Sequence, residues 1–257
     1  MDLTRRAFLA TLASGCAACA TAPLTGRSQV MLLSEGAEFQ MGLTAYREVL
    51  SKSKVSGDRT LNAQVTRVGQ RIAQATGRQD YPWEFKVLED KQVNAFCLPG
   101  GKVAVYTGIL PITRDDAGLA AVLGHEVAHA TARHGGERVS QGLLVQTGLV
   151  ATQAALSRKD PHTVQTVVSL LGAGAAVGLL LPWSRAQESE ADHLGLIYMA
   201  KAGYHPSASR DLWVRMDEAS RSQPRPPEFL STHPLPGTRI HQIESWIPEA
   251  LQYYRPQ

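Results

Sequence analysis

Two histidines four residues apart, His125 and His129 in "LGHEVAHATARHGG" (residues 123–136), enclose a glutamate, Glu126. On a helix this spacing puts the side chains one turn apart and about 40° apart around the axis, so both imidazoles can reach one point and grip a metal ion. Glu126 is placed to reach a water on that ion without being a ligand. Two neutral imidazoles and a carboxylate make a tetrahedral zinc site with one corner open to water, the arrangement for hydrolysis rather than for structure. The competing reading is a helix that merely carries satisfied or solvent-facing histidines.

The third ligand must come from elsewhere. The pattern H-E-x-x-H-x-x-G-x-x-H would supply a histidine nearby, but position 132 is Ala132, position 135 is Gly135, and His134 comes one residue early. Downstream, "RAQESEADHLG" offers Glu188, Glu190 and Asp192. Glu188 and Asp192 share a helical face, whereas Glu190 points about 200° around from Glu188. Glu188 is therefore expected on the metal. Asp192, a turn further on, is expected to accept a hydrogen bond from the far nitrogen of a ligand histidine and fix its tautomer. Taken alone, such an acidic cluster is a solvated helix face.

The elements that must position these groups can be read coarsely. Thr113–Asp116 fits a capping box opening a helix over 117–134 that stops at Gly135-Gly136. Before it, "WEFKVLED", "NAFCL" and "KVAVYTGIL" alternate around a Pro-Gly-Gly turn and predict two or three short antiparallel strands. Two earlier helices are expected, one after an N-cap at Ser34 and one carrying Leu61, Val65, Val68 and Ile72 up to Gly77. Further helices are expected near 186–202, 207–219 and 237–247. Residues 164–182 form the most apolar run, read either as a membrane span or as a helix packed tightly inside a soluble domain; the chemistry placed just after it favours the packed helix. The fold class is α+β, mostly α-helical, with a small antiparallel sheet beside the histidine helix.

With 257 residues and 19% charged residues the chain reads as one ordinary globular domain over 34–257, after an export signal at 1–19 and a tether at 20–33. The net charge of +3 is too weak and scattered to argue for nucleic acid. "MDLTRRAFLATLASGCAACA" has a charged start, a short apolar run and small residues ending in cysteine, as an export signal does. Cys16 or Cys19 is the candidate lipidation site, although neither has the usual leucine three residues before it. "TRRAFL" reads equally as a twin-arginine signal or a plain basic start. Three cysteines, with Cys97 the only one in the body, give no disulfide framework.

"GHEVAHATARHGGER", "SRAQESEADHLG", "NAFCLPGGKVAVYTGIL" and "STHPLPGTR" together resemble the zinc metallopeptidase family that includes HtpX and the prenyl-protein proteases, and within it the bacterial periplasmic lipoprotein branch of BepA-like and LoiP-like proteins. The resemblance implies one zinc ion held by His125, His129 and Glu188, Glu126 as the catalytic carboxylate, and Asp192 completing an E-x-x-x-D element. It also implies that His233 and Arg239 belong to the site, His233 either approaching the zinc and holding it latent or helping to stabilise the transition state; from the residues alone, His233 would be a surface-loop histidine. The chain leaves no room for a helical-repeat domain and no membrane helices flanking the domain as in HtpX, so a short LoiP-like peptidase is the closer comparison. The expected activity is endoproteolysis of misfolded or unfolded envelope proteins, with a substrate strand pairing along the exposed edge of "KVAVYT". Asn94, Val103 and Val105 are the candidate substrate-binding residues. The rival is a non-catalytic, zinc-stabilised lipoprotein chaperone, against which the intact Glu126 argues.

Overall fold

The structure, a computed structural model, describes residues 19–222, 227–234 and 237–256. Nearly all of the expected export signal, including Cys16, lies outside these residues. In chain order the elements are β1 (Cys19–Thr21), β2 (Ser28–Val30), α1 (Glu35–Lys52), α2 (Arg59–Ala75), β3 (Glu84–Leu88), β4 (Ala95–Leu98), β5 (Lys102–Tyr106), α3 (Leu110–Thr113), α4 (Asp116–Thr131), α5 (His134–Ala155), α6 (Pro161–Ala175), a π-helical turn (Ala176–Leu180), α7 (Leu181–Lys201), α8 (Ser207–Arg221), α9 (Glu228–Thr232) and α10 (Arg239–Leu251). The described residues cluster into two compact units, 19–37 with Arg133–Ala186, and Glu38–Ala132 with those from Gln187 onward.

In the larger unit α4 is the central element. Apart from His125, Glu126 and His129 its interior positions are apolar or small, and every residue from Gly118 to Thr131 is buried, as a helix without a solvated polar face must be. It packs against α2, α8 and β4. Asp115, not Thr113, caps it: the Asp115 carboxylate accepts from the Gly118 N–H at 2.8 Å, while Thr113 ends the short α3 before it. The helix also stops sooner than expected, at Thr131. Arg133 takes a left-handed φ of 58° that redirects the chain, and Gly135-Gly136 falls inside the next helix.

The three-stranded sheet has the order β3-β5-β4. β5 runs antiparallel to β4 across the Pro-Gly-Gly turn but parallel to β3, so the sheet is mixed rather than antiparallel. The long segment between β3 and β5 contains β4 itself, which lets the chain return in the same direction. β5 is the middle strand, and Val103, Ala104 and Val105 are fully buried because both sheet faces are covered. Its edge is therefore not available to a substrate. Among the described residues β4 has β5 as its one strand partner, and its outer side is the free edge.

α4 and α7 approach so closely that only glycine fits at the crossing. A Cβ on Gly124 would lie 2.9 Å from the Gly195 carbonyl oxygen, and one on Gly195 would lie 3.0 Å from the His125 nitrogen. This contact brings the helix of His125 and His129 against the helix of Glu188 and Asp192.

The smaller unit is a helical hairpin of α5 and α6 with the β1–β2 ribbon at its foot. The expected tether is thus structured: β1 and β2 pair antiparallel. Arg27 donates two 2.7 Å hydrogen bonds to the Glu137 carboxylate, the Gln29 amide donates to the same group at 3.2 Å, and the Leu32 N–H donates to Ser140 Oγ at 2.9 Å. The apolar run 164–182, expected to be packed inside a soluble domain, is instead largely exposed, with Leu170 at 69% and Val177 at 67%.

Candidate metal centre

Burial in α4 leaves its polar side chains with one way to be satisfied, which is each other and the residues facing them. His125 is 3% exposed, and its Nδ1 lies 2.9 Å from Asp192 Oδ1. A carboxylate only accepts, so Nδ1 carries the proton and Nε2 presents a lone pair. That lone pair points at a crowd of other donors: His129 Nε2 is 3.1 Å away, His233 Nδ1 3.0 Å and Glu188 Oε2 3.3 Å. Glu188 Oε1 is 3.2 Å from His129 Nε2. All four ligand atoms, from His125, His129, Glu188 and His233, lie within 4.8 Å of one another.

These separations fit a metal ion. Four ligands at zinc's usual distances of ~2.0–2.1 Å lie about 3.3 Å apart along the edges of a tetrahedron. Lone pairs and a negative charge converging in a buried space require a cation at their centre. A proton can take that role: burial alone would lower the His125 pKa, but the hydrogen bonds to Asp192 and Glu188 prevail and push it up to about 9. Burial opposes the charged form of Glu188, yet the nearby His129 charge and hydrogen bonds from the three histidines hold its carboxyl well below the usual range.

The supports are built on the other side of the ring. Asp192 is buried, which would raise its pKa, but the Arg239 guanidinium lowers it, donating through Nε at 2.7 Å and Nη2 at 2.8 Å. Arg239 also donates to the Pro234 carbonyl at 2.9 Å and that of His233 at 3.3 Å, so one side chain fixes both the aspartate and the loop that carries His233. Its guanidinium stacks 3.6 Å above the Trp213 ring, which meets the His125 ring edge-on at 5.7 Å. Phe229 lies 4.7 Å from the His233 ring.

Glu126 is buried beside the cluster. Its Oε1 makes no aligned hydrogen bond and lies 3.2 Å from His233 Nε2. A buried carboxylate oxygen kept free next to a metal-type cluster is suited to taking a proton from a third party.

The structure thus brings together His125, Glu126, His129, Glu188, Asp192, His233 and Arg239. Arg239 reaches the cluster mainly through Asp192 and comes no nearer to Glu188 than 3.5 Å. Val103 and Val105 are sealed in the sheet, and the Asn94 side-chain oxygen accepts from the Ala95 N–H at 2.9 Å. Two participants had no signal of their own in the sequence. Trp213 reads there as one apolar position of a helix. Cys97, on β4, has its thiol pushed well up by burial and then by the Glu126 charge.

Residues 59–247 match peptidase family M48. The mitochondrial metalloendopeptidase OMA1 of Schizosaccharomyces pombe is 40% identical over 236 residues, 89% of this chain and 66% of that protein. The protein of the same name from Saccharomyces cerevisiae is 31% identical, across 99% of this chain and 78% of its own length. The beta-barrel assembly-enhancing protease of Escherichia coli is 27% identical, across 86% of this chain and 46% of its own length. Relatives named for mitochondria thus match at higher identity than the bacterial branch expected from the motifs. With its cluster of two helix-borne histidines, a facing glutamate and a free carboxylate, the chain belongs to peptidase family M48, whose members use zinc.

Proposed function

We propose that this chain is a zinc-dependent endopeptidase that cleaves unfolded or misfolded polypeptides of a membrane-bounded compartment. The observation that carries this reading is the convergence of His125, His129 and Glu188 on one point with the unbonded Glu126 oxygen beside it. Zinc bound there supplies Lewis acidity for the scissile carbonyl and for the attacking water. The chain's own residues do the rest. Glu126 takes the proton of the water and hands it to the leaving amine. Asp192 holds His125 in the tautomer that keeps Nε2 free, and Arg239 keeps Asp192 charged and aimed. An extended substrate pairs along the free edge of β4, whose backbone groups read no sequence, so cleavage preference is loose.

His233 Nδ1 lies 3.0 Å from both His125 Nε2 and Glu188 Oε2, where it would compete with water for a bound metal. We take this as a latent state that opens when the His233 side chain withdraws. The relatives' names are compatible with quality control in either setting, "mitochondrial" or "beta-barrel assembly". For this chain we keep export with lipidation at Cys16 or Cys19.

The test is Glu126→Gln. Zinc content should stay near one per chain, while cleavage of unfolded casein falls by about 10²–10⁴-fold, the share a general base contributes. Cleavage at the wild-type rate would sink the mechanism. His233→Ala should raise the rate and remove one nitrogen from the zinc coordination sphere in X-ray absorption. An unchanged coordination number together with an unchanged rate would remove the latency.

A further inference from the structure

We infer that the α5–α6 hairpin is a bilayer anchor, in which the second arm, the one described helix long and apolar enough to cross, enters lipid with α5 packed beside it. The charge pattern is the first reason. Between Arg138 and Arg158 lie 19 residues without Asp, Glu, Lys or Arg, and between Asp160 and Arg185 lie 24. At 1.5 Å per residue the shorter stretch spans about 28 Å, against about 30 Å for the hydrocarbon core of a bilayer. Charges gather only at the turn, Arg158-Lys159-Asp160, and at the feet, Arg138 and Arg185. The acidic groups at those margins are engaged: Asp160 caps α6 by accepting from the Thr163 N–H and hydroxyl, and Glu137 is paired with Arg27. Counted by residue, the margins carry four basic side chains (Arg138, Arg158, Lys159, Arg185) to two acidic ones (Glu137, Asp160), a balance complementary to anionic headgroups.

The surface between the margins is the second reason. Leu143, Leu144, Val150, Leu170, Leu171, Val177 and Leu179 are all 43% or more exposed, and no residue of the most apolar window of Pro161–Lys201 is buried. Water is a poor solvent for such a surface, and a contiguous apolar face of this kind marks an interaction site. The threonines on it hide their hydroxyls. Thr147 donates to the Leu143 carbonyl at 2.8 Å, Thr152 to Gly148 at 2.9 Å and Thr166 to His162 at 2.8 Å. This back-bonding satisfies these three hydroxyls within their own helices, as a medium without water requires. The arms meet over small residues, Gly172 lying against Leu149, as helices do where lipid gives no hydrophobic drive between them. Trp183, two residues before the basic foot at Arg185, sits where an interfacial aromatic belongs.

The test uses the full chain with Cys16→Ser and Cys19→Ser, so that no acyl group contributes, and vesicles of phosphatidylcholine with and without phosphatidylglycerol. The protein should float with both kinds of vesicle, more completely with the anionic ones, and stay with them at pH 11. Leu171→Glu with Val177→Glu, both at exposed positions, should lower the lipid-bound fraction at least tenfold while helicity by circular dichroism is kept. Met41→Glu, at an exposed apolar site of the other unit, should change nothing. The inference is overturned if the unsubstituted hairpin stays in the aqueous fraction, if the double glutamate variant floats as well as its parent, or if the chain is a dimer in water that the double variant converts to monomers, since a second copy would then cover the face. Flotation is read without reference to peptidase activity, so its failure leaves the zinc peptidase reading standing, and the reverse holds too.

Discussion

α4 and the α6 arm of the hairpin are both helices with little polar character, yet one is sealed inside the larger unit and the other stands open. Apolarity says that water is to be avoided without saying what takes its place. What separates the two is the handful of ionisable residues. α4 carries His125, Glu126 and His129 into the interior, where every charge needs a partner, and the partners come from α7, from His233 just after α9, and from α10. The α6 arm carries no Asp, Glu, Lys or Arg and makes no such demand, so nothing in the protein recruits a cover for it.

This contrast can be broken at several points. The largest effect is expected from Glu188→Ala, which takes a ligand and a charge from the cluster: zinc should be lost on dialysis and proteolysis should fall by more than about 10³-fold, or about 4 kcal/mol in barrier height. Retention of stoichiometric zinc would mean that the cluster is held by hydrogen bonds alone. Next, Leu123→Ala in α4, at a fully buried position, should destabilise unfolding in denaturant by about 2–5 kcal/mol. A cost under about 1 kcal/mol would show that α4 is less closely packed than its burial implies. Asp192→Asn should weaken zinc affinity by about 10–100-fold in a chelator competition, because His125 loses the charged acceptor that fixes its tautomer and raises its basicity. Smallest of all, Leu170→Ala in α6 should change stability in water by no more than about 0.5 kcal/mol, as expected where a side chain is 69% exposed. A loss as large as at Leu123 would place the hairpin face against protein.

The metal centre was the most legible part because its geometry is local. Four-residue spacing places His125 with His129, and Glu188 with Asp192, whatever the rest of the fold does. His233 and Arg239 follow no periodicity and were found through resemblance; their partners lie 108 and 47 residues away. Sheet order was misread because alternation describes one strand at a time. The buried run Val103-Ala104-Val105, apolar on both faces, was the available sign that this strand lies in the middle. The β1–β2 ribbon has strands of three residues, too short for a period, and its hold on α5 depends on Arg27 meeting Glu137 across 110 residues. The α6 run was misplaced because hydropathy is the same for a helix sealed in a protein core and for one left exposed.

The crossing of Gly124 and Gly195 carries a last consequence. The two jaws of the zinc clamp sit on separate helices, and the gap between the jaws is set by two hydrogen atoms where larger groups would stand. A single methyl at either glycine would act as a shim, prising the imidazole jaw from the carboxylate jaw and detuning the grip on the ion without replacing a ligand.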